Sequence, residues 1–314
     1  MNNTDERKID CTADITAENK RIDLWLSERF TYHSRHQWQN VIKNGFLTVN
    51  GRKCRPSRKL KAGDLITYYP QHDEPEVNTD YSIIYEDEKI IAVNKPANLP
   101  CHPAGPYFKN TLWYLLNNEN YKIHFINRLD RETSGIMLIA KDSGTAGFCS
   151  KNIQTKSYIT AVTGDFPDEL KAEGYLYEDE SISRNDQFRV RKKRMFSYTK
   201  PDSGNDETSK TFFRRVEKGN GISIIKADLY TGRMHQIRAT LCSLGFPVVG
   251  DKLYGPDESI FIRFINDAMT EEDRRRLILD RQALHSKTIS FIHPDSEQTV
   301  SLTAPVPDDI RSLI

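Results

Sequence analysis

One stretch near the middle of the chain constrains the fold most. A polar segment, residues 127–135, runs directly into the apolar segment Ile136–Ala140, which ends at Lys141. A short apolar run bounded by charge predicts a buried strand. Polar residues attached to a core strand lie where functional groups are commonly placed. We therefore expect a buried strand here, preceded by a functional loop.

The polar segment holds the carboxyl group of Asp130 between the guanidinium groups of Arg128 and Arg131. A neighbouring cation favours the ionised form of an acid, so Asp130 is expected to be a carboxylate suited to nucleophilic or electrostatic work. The same residues also fit an ordinary turn with a surface ion pair, and the local sequence by itself favours that interpretation.

Composition limits the class of protein. A chain of 314 residues is long enough for two domains, each with its own core. It has no apolar run of the ~20 residues that a membrane helix needs, and residues 1–20 lack the apolar core of a secretory signal. The five cysteines are scattered, without metal-ligand or redox spacing. We expect a cytoplasmic protein with reduced thiols, no metal site and no membrane association.

The first unit is predicted over residues 21–70, after a flexible leader over residues 1–20 and before a linker over residues 71–80. Apolar spacing and turn residues predict its elements: helices near Ile22–Phe30 and Trp38–Ile42, a C-terminal stop at Gly45, strands Phe46–Val49 and Leu65–Tyr69, and a hairpin turn at Asn50-Gly51.

Basic residues crowd this unit between its predicted strands, with almost no acid among them: Arg52, Lys53, Arg55, Arg58, Lys59 and Lys61. Together with Arg35 they would give the unit a positive face for a polyanion. A solvated charged loop is the alternative.

Residues 81–314 are predicted to form the second, larger unit. Its strands include Ile83–Tyr85, Ile90–Asn94, Tyr158–Val162 and Ile222–Leu229, and its helices Thr111–Asn117, Lys141–Ile153 and Asn266–Arg281. The segment Arg184–Lys200 interleaves basic residues, among them Arg191 and Lys192, with aromatic ones. Cations beside aromatic rings suit a single-stranded or flipped-out nucleotide, although an exposed hairpin without a partner fits equally well.

Three ordered motifs in the first unit resemble the S4 RNA-binding module: Arg21-Ile22-Asp23-x-x-Leu26, Ile42-x-x-Gly45-x-x-x-Val49-Asn50-Gly51 and Leu60-Lys61-x-Gly63-Asp64-x-Ile66. In that family two helices and a hairpin present basic side chains to structured RNA. The resemblance implies that this chain binds RNA in the same way.

Five ordered motifs in the second unit resemble the RluA-type pseudouridine synthases: Val93-Asn94-Lys95-Pro96, Arg128-Leu129-Asp130-x-x-Thr133-Ser134-Gly135, Lys156-x-Tyr158, Gly232-Arg233-x-His235-Gln236-Ile237-Arg238 and Gly250-Asp251-x-x-Tyr254-Gly255. The two resemblances together imply an α+β protein, with a small S4-like module followed by a larger domain. That domain should contain a mixed, mainly antiparallel sheet flanked by helices and loops.

The second resemblance assigns catalytic roles to three residues. Asp130 matches the aspartate that is essential for breaking the uridine glycosidic bond, and Arg238 matches the arginine that pairs with this aspartate. Tyr158 matches a tyrosine that packs against the base and is a candidate for the later proton abstraction. The target base must leave its stack, and Arg128 could fill the vacated space. The reaction needs no redox step and no group donor, so we expect no cofactor and no metal.

The expected substrate is rRNA or tRNA, bound by a monomer without an obligate protein partner. The expected substrate-binding residues are Arg128, Thr133, Arg233, His235, Arg35, Arg52, Lys53, Arg191 and Lys192.

One position departs from the family pattern, because Asn127 stands where the family usually has His. A retired, RNA-binding assembly factor on the same scaffold is therefore an alternative. A hydrolytic glycosidase is a third, but it lacks an evident second carboxylate.

Overall fold

The computed structural model describes residues 8–30, 33–69, 74–116, 122–178, 193–202, 204–266 and 268–314. The chain forms two compact units, the first of Met1–Glu76 with His102–Thr111 and the second of Val77–Cys101 with Leu112–Ile314. The sequence did not predict that a segment from the middle of the chain joins the first unit. The backbone N–H groups of Lys109 and Asn110 donate to the Glu74 carboxylate at 2.8 and 2.6 Å and fix the segment there.

The first unit is a four-stranded antiparallel sheet with two helices. Its strands run in the order β1-β4-β2-β3. The elements are β1 Ile9–Thr12, a short 3-10 helix Ile15–Ala17, α1 Ile22–Arg29, α2 Arg35–Lys43, β2 Leu47–Val49, β3 Arg52–Lys53 and β4 Leu65–Tyr68. The two helices and the turn at Asn50-Gly51 confirm the prediction.

The expected flexible leader is wrong for residues 9–17. Strand β1 pairs with β4 along its whole length, and Ala13 and Ala17 are buried in the core of the unit beside Trp25. A four-residue strand is too short for its alternation of apolar and polar residues to be recognised in the sequence. Its stability comes from pairing with β4, more than fifty residues away along the chain, so local patterns carry little signal for it.

The second unit is built on an eleven-stranded sheet, in the order β11-β10-β12-β13-β9-β14-β8-β6-β5, with β15 beside β14 and β7 beside β8. Its strands are β5 Ser82–Glu86, β6 Ile90–Lys95, β7 His124–Phe125, β8 Ser134–Ala140, β9 Ile153–Thr163, β10 Glu169–Glu178, β11 Arg194–Ser197, β12 Glu207–Gly219, β13 Ile222–Leu229, β14 Leu284–Ile292 and β15 Thr299–Thr303. Among these, the β8–β14 pair is parallel and the other pairs are antiparallel. The mixed, mainly antiparallel sheet is confirmed.

The helices of this unit are α3 Leu112–Leu115, α4 Ser143–Lys151, α5 Gln236–Ser243, α6 Ser259–Ile265, α7 Glu271–Leu277 and α8 Asp308–Arg311. The prediction of one helix over Asn266–Arg281 is wrong. Thr270 and Asp273 form a capping box that starts α7 late, and Ile278, at φ 69°, ends it early. None of the described helices is long and apolar enough to cross a membrane.

Strand β8 confirms the prediction from its apolar run, because every one of its residues is buried. It lies between β6 and β14. Met137 and Ile139 join the main core on one face, and Ile136 and Leu138 join a second core on the other. Burial on both faces explains the absence of polar alternation in this strand.

Gly135 lies where β8 meets β14, in the parallel pairing of Ser134 and Gly135 with His285 and Ser286. Its φ is +109°, and a Cβ there would lie 2.2 Å from the carbonyl oxygen of Ser286 and 2.6 Å from its nitrogen. The backbone therefore requires glycine at this position.

We predict that Gly135→Ala lowers the free energy of unfolding by about 2–4 kcal/mol, because it combines backbone strain with a clash against backbone atoms. Urea denaturation measures the change. Gly147→Ala is the matched control: Gly147 is helical with no atom near its Cβ position, so this variant should gain about 0.5–1 kcal/mol. Equal stabilities for the two variants would contradict the assigned role of Gly135.

Candidate active site

The second unit brings Asp130, Tyr158 and Arg238 to one slot beside the centre of the sheet. Asp130 precedes β8, Tyr158 lies on β9 and Arg238 lies on α5. The three line a cavity of about 80 Å³, together with the apolar side chains of Leu229, Ile237 and Leu284. Polar and charged side chains, among them Arg233, His235 and Gln236, complete the lining, so the slot combines apolar with charged surface.

Arg238 joins two carboxylates. Its Nη1 donates to Oδ2 of Asp130 at 2.6 Å, while Nε and Nη2 donate to the two carboxylate oxygens of Asp251 at 2.6 and 2.9 Å. The two-point contact with Asp251 fixes the plane of the guanidinium group, and the remaining nitrogen then fixes Asp130. The partner of Asp130 is therefore Arg238, and not its neighbour Arg131, which pairs with Glu132 at 3.5 Å.

Asp251 is itself fully buried. Its Oδ1 also accepts hydrogen bonds from the backbone N–H groups of Leu253 and Tyr254, at 3.0 and 2.9 Å. Burial raises the pKa of Asp251, but Arg238 and these hydrogen bonds outweigh that effect and lower it. Asp251 is thus a permanently charged anchor for Arg238.

Asp130 is held as a carboxylate that solvent can reach. Burial by itself would raise the pKa of Asp130, but the Arg238 guanidinium and the hydrogen bonds from Arg238 and Gln282 lower it below its ordinary value. Its side chain is 34% exposed, against 0% for Asp251. The two carboxylates therefore differ in role, since only Asp130 can meet a ligand.

His235 approaches the other oxygen of Asp130, with Nε2 3.9 Å from Oδ1. Its Nδ1 lies 3.0 Å from the hydroxyl of Tyr254, which also accepts the backbone N–H of Arg194. Because the Tyr254 hydroxyl accepts from Arg194, its own proton is free to be donated to Nδ1 of His235. The proton of the neutral imidazole is then on Nε2, which faces Asp130. Burial and the Arg238 charge lower the pKa of His235, which keeps the ring neutral at pH 7.

Two buried contacts hold the loop that carries Asp130. Gln282 donates through Nε2 to the hydroxyl of Thr133. The backbone N–H of Thr133 donates in turn to the backbone carbonyl of Asp130 at 3.1 Å. Thr133 is 2% exposed and also lines the slot, so its role in binding substrate stays a prediction. No local pattern in the sequence singles out Gln282.

Lys95 holds the same loop from the other side. Its side chain is fully buried, and Nζ donates to the carbonyls of Pro96, Leu99 and Arg131 at 2.8, 2.9 and 3.1 Å. Burial lowers the pKa of Lys95 to about 8. The Lys-Pro motif thus connects the loop after β6 to the loop before β8.

Asn127 forms two hydrogen bonds with strand β8. Its Nδ2 donates to the carbonyl of Ile136 at 3.3 Å, and its Oδ1 accepts the N–H of Leu138 at 2.7 Å. The amide of Asn127 therefore pairs with the backbone of β8 as a neighbouring strand would. The residue that departs from the family pattern orders the loop that leads to Asp130.

Tyr158 is buried against the slot. Burial, opposed by a hydrogen bond to Ser286, raises the pKa of Tyr158 to about 12. The side chain is therefore a neutral phenol at pH 7, with its ring available for packing against a planar ligand.

Two further predicted residues line the slot. Arg128 is exposed and forms no ion pair with the part of the chain that the structure describes. Arg233 is also exposed, but it forms an ion pair with Glu207, at 3.5 Å, and donates to the carbonyl of Thr208. Arg128 is thus the more available cation for an incoming anion.

The predicted basic residues of the first unit divide into two kinds. Arg35 donates from Nε to Asp23, a buried carboxylate that also binds Arg21 and Gln39, so part of its charge serves the fold. Arg52 is exposed on β3. Lys53 is also exposed there and lines a groove of about 510 Å³ with Arg55, Ser57 and Arg58. Arg191 and Lys192 lie outside the described residues.

Comparisons with known proteins match both units of the chain. The family model described as RNA pseudouridylate synthase matches residues 89–243, and the S4 domain model matches residues 20–66. An uncharacterised RNA pseudouridine synthase of Bacillus subtilis is 29% identical, over 98% of this chain and 97% of its own length. Ribosomal large subunit pseudouridine synthase D of Neisseria meningitidis serogroup A is 30% identical, over 98% of this chain and 82% of its own.

A yeast protein, the mitochondrial tRNA pseudouridine(32) synthase, is 32% identical over 77% of this chain, which spans about half (51%) of the yeast protein. Among solved structures, human RNA pseudouridylate synthase domain containing 1 has the same fold, with a TM-score of 0.54 at 23% identity over 74% of this chain and 86% of its own. The chain therefore belongs to the RNA pseudouridine synthase family and carries an S4 domain ahead of the catalytic domain.

Proposed function

We propose that this protein converts uridine to pseudouridine in rRNA or tRNA, with Asp130 as the reacting carboxylate. The observation that carries the proposal is the Asp130–Arg238–Asp251 arrangement, which keeps one accessible carboxylate ionised in the slot. The names of the relatives support both RNA classes, since one acts on the large ribosomal subunit and another on tRNA.

The reaction breaks the bond between N1 of uracil and C1′ of the ribose and forms a bond between C5 and C1′. Asp130 can act either by attacking C1′ or by removing a proton from the sugar, and both actions need an ionised carboxylate. Arg238 orients Asp130 for either step. N1 gains a proton and C5 loses one, so no net oxidation occurs and no group donor is consumed.

The apolar part of the slot suits a free uracil that must turn before it rejoins the sugar. Leu229, Ile237 and Leu284 offer no hydrogen bonds that would fix one orientation of the base. We propose that Tyr158 packs against the ring as a phenol. Its pKa of about 12 means that it must lose its own proton before it can accept the C5 proton.

The target uridine is proposed to reach the slot by leaving its stack, because the reacting atoms are inaccessible inside a helix. Arg128, exposed at the slot, is the proposed occupant of the space that the base leaves. The basic face of the S4 domain, Arg52 and Lys53 among it, is proposed to hold the RNA through its phosphates. We propose further that the protein acts as a monomer in the cytoplasm.

Neither alternative function gains support from a described residue. A retired scaffold has no use for an ionised, accessible Asp130 beside Arg238, and Asn127 preserves the order of the loop. A glycosidase needs a second carboxyl group to protonate the leaving group. Asp251 is fully buried on Arg238, and Glu132 is paired with Lys252 at 2.8 Å.

We predict that Asp130→Asn abolishes pseudouridine formation, with a loss of about four orders of magnitude or more, while RNA binding is retained. The measurement is nucleoside mass spectrometry after incubation with tRNA and rRNA from cells that lack the protein. Asp165→Asn, at an exposed ion pair with Arg215, is the control and should keep full activity. Product at the wild-type rate from Asp130→Asn would exclude Asp130 from the chemistry.

The pH dependence follows from the same electrostatics. The pKa of Asp130 is lowered, so its carboxylate loses its charge only when the pH falls below the ordinary carboxyl range of about 4. His235, with its lowered pKa, stays neutral at pH 7. Single-turnover rates should therefore be constant between about pH 7.5 and pH 6.5. Above that range Lys95, whose pKa is about 8, loses its charge. A fall in rate with an apparent pKa near 7 would show that one of these groups titrates in the working range.

Binding should depend on salt, because phosphate contacts release counterions. We predict that Arg52→Glu weakens RNA binding by roughly tenfold at low salt and leaves the single-turnover rate at saturation unchanged. Lys122→Glu, at an exposed lysine in the second unit, is the matched charge reversal and should change binding by less. If the two variants bind alike, the basic face of the S4 domain does not contact RNA.

A further inference from the structure

A second cavity of the catalytic domain has no part in the mechanism described above. Strand β9 begins at Ile153, but its pairing with β13 starts only at Ser157 opposite Asp228. The first part of β9 pairs with β14 but not with β13. Beside it lies an opening of about 660 Å³, which Lys156, Lys226 and Tyr230 help to line. Leu229 lines both this opening and the uracil slot, so the two spaces are neighbours.

Lys156 is the unusual residue of this opening. It lies two residues before Tyr158 on β9, so both side chains project from the same face of the sheet. Its side chain is half-buried, yet it forms no ion pair within the described part of the chain. Burial without a nearby carboxylate lowers the pKa of Lys156. A partly desolvated ammonium without a counterion is stabilised when an anion binds.

The second lysine of the opening has a different environment. Lys226 forms an ion pair with Asp228 at 3.0 Å, and Asp228 also accepts a hydrogen bond from the hydroxyl of Ser157. Its charge is therefore already balanced within the protein. Lys156 and Lys226 thus line one cavity with the same charge, but only Lys156 is left to pair with a ligand.

The chain also keeps space for the ammonium of Lys156. A Cβ on Gly232 would lie 3.0 Å from its Nζ. Gly232 begins the motif that carries His235 and Arg238, and its φ is not in the left-handed region. Glycine here leaves room for the flexible end of the Lys156 side chain, so the Lys-x-Tyr motif lies against the motif of α5.

We propose that Lys156 binds a backbone phosphate of the substrate RNA next to the target uridine. The proposal rests on the proposed function, because it takes the adjacent slot as the site of the flipped base. A nucleotide in that slot carries its chain out through the neighbouring opening, where the unpaired ammonium meets a phosphate. A phosphate bound there would hold the ribose of the target while its glycosidic bond is broken.

The test compares Lys156→Gln with Lys226→Gln. Equilibrium binding to tRNA and rRNA from cells that lack the protein is measured over a range of KCl concentrations, and pseudouridine formation is measured in parallel. Lys156→Gln should weaken binding by about fivefold to tenfold and reduce the slope of log affinity against log salt by about one. Lys226→Gln should change neither quantity appreciably, and the thermal unfolding of both variants should match the wild type.

Equal effects of the two substitutions, or an unchanged salt slope for Lys156→Gln, would overturn the proposal. The proposal would also be overturned if Lys156→Gln lost binding and had a lowered melting temperature while its salt slope stayed unchanged. That result would indicate a structural role for Lys156. The two readouts separate the two proposals. Absence of product from the wild-type protein would contradict the proposed function, whereas the salt slope decides the Lys156 contact whether or not product forms.

Discussion

The guanidinium group of Arg238 is the contact on which the rest of the active site depends. Asp251, buried and held by two backbone N–H groups, fixes the guanidinium plane, and Arg238 in turn fixes Asp130. A buried cation between two carboxylates would be unfavourable if either partner were lost. The arrangement therefore lets the protein hold one anchored carboxylate and one reactive carboxylate with a single arginine, and only the reactive one is open to solvent.

The fold supplies the rigid frame for this contact. Asp130 precedes the fully buried strand β8, whose start is fixed by the close approach of Gly135 to Ser286 on β14. Lys95 and Gln282 hold the loop before β8 from two directions, through carbonyl groups and through Thr133. Residues far apart in the chain thus determine together the position of the Asp130 carboxylate.

The sequence predicted the elements whose signals are local. The apolar run of β8, the two helices of the S4 domain and the hairpin at Asn50-Gly51 depend on neighbouring residues. Motif resemblance predicted catalytic roles for Asp130, Tyr158 and Arg238, which the structure brings to one slot. Contacts across long separations were not predictable. Asp251 lies in a family motif, but its two-point contact with Arg238 exists only after α5 and the following loop pack together. Strand β1 is stabilised by a distant partner, so it has no local signal. Helix α7 is shorter than the charged segment predicts, because a capping box at Thr270 sets its start.

Asp130 is ionised at neutral pH because Arg238 is held beside it. Carbon-13 labelling of the aspartate side chains, with the Asp130 signal identified by its loss in Asp130→Asn, would report this charge directly by NMR. We expect the Asp130 carboxyl carbon to keep the chemical shift of a carboxylate at every pH from about 8 down to about 5. A titration of that signal with a midpoint at about pH 6 or above would show that Arg238 does not keep Asp130 ionised.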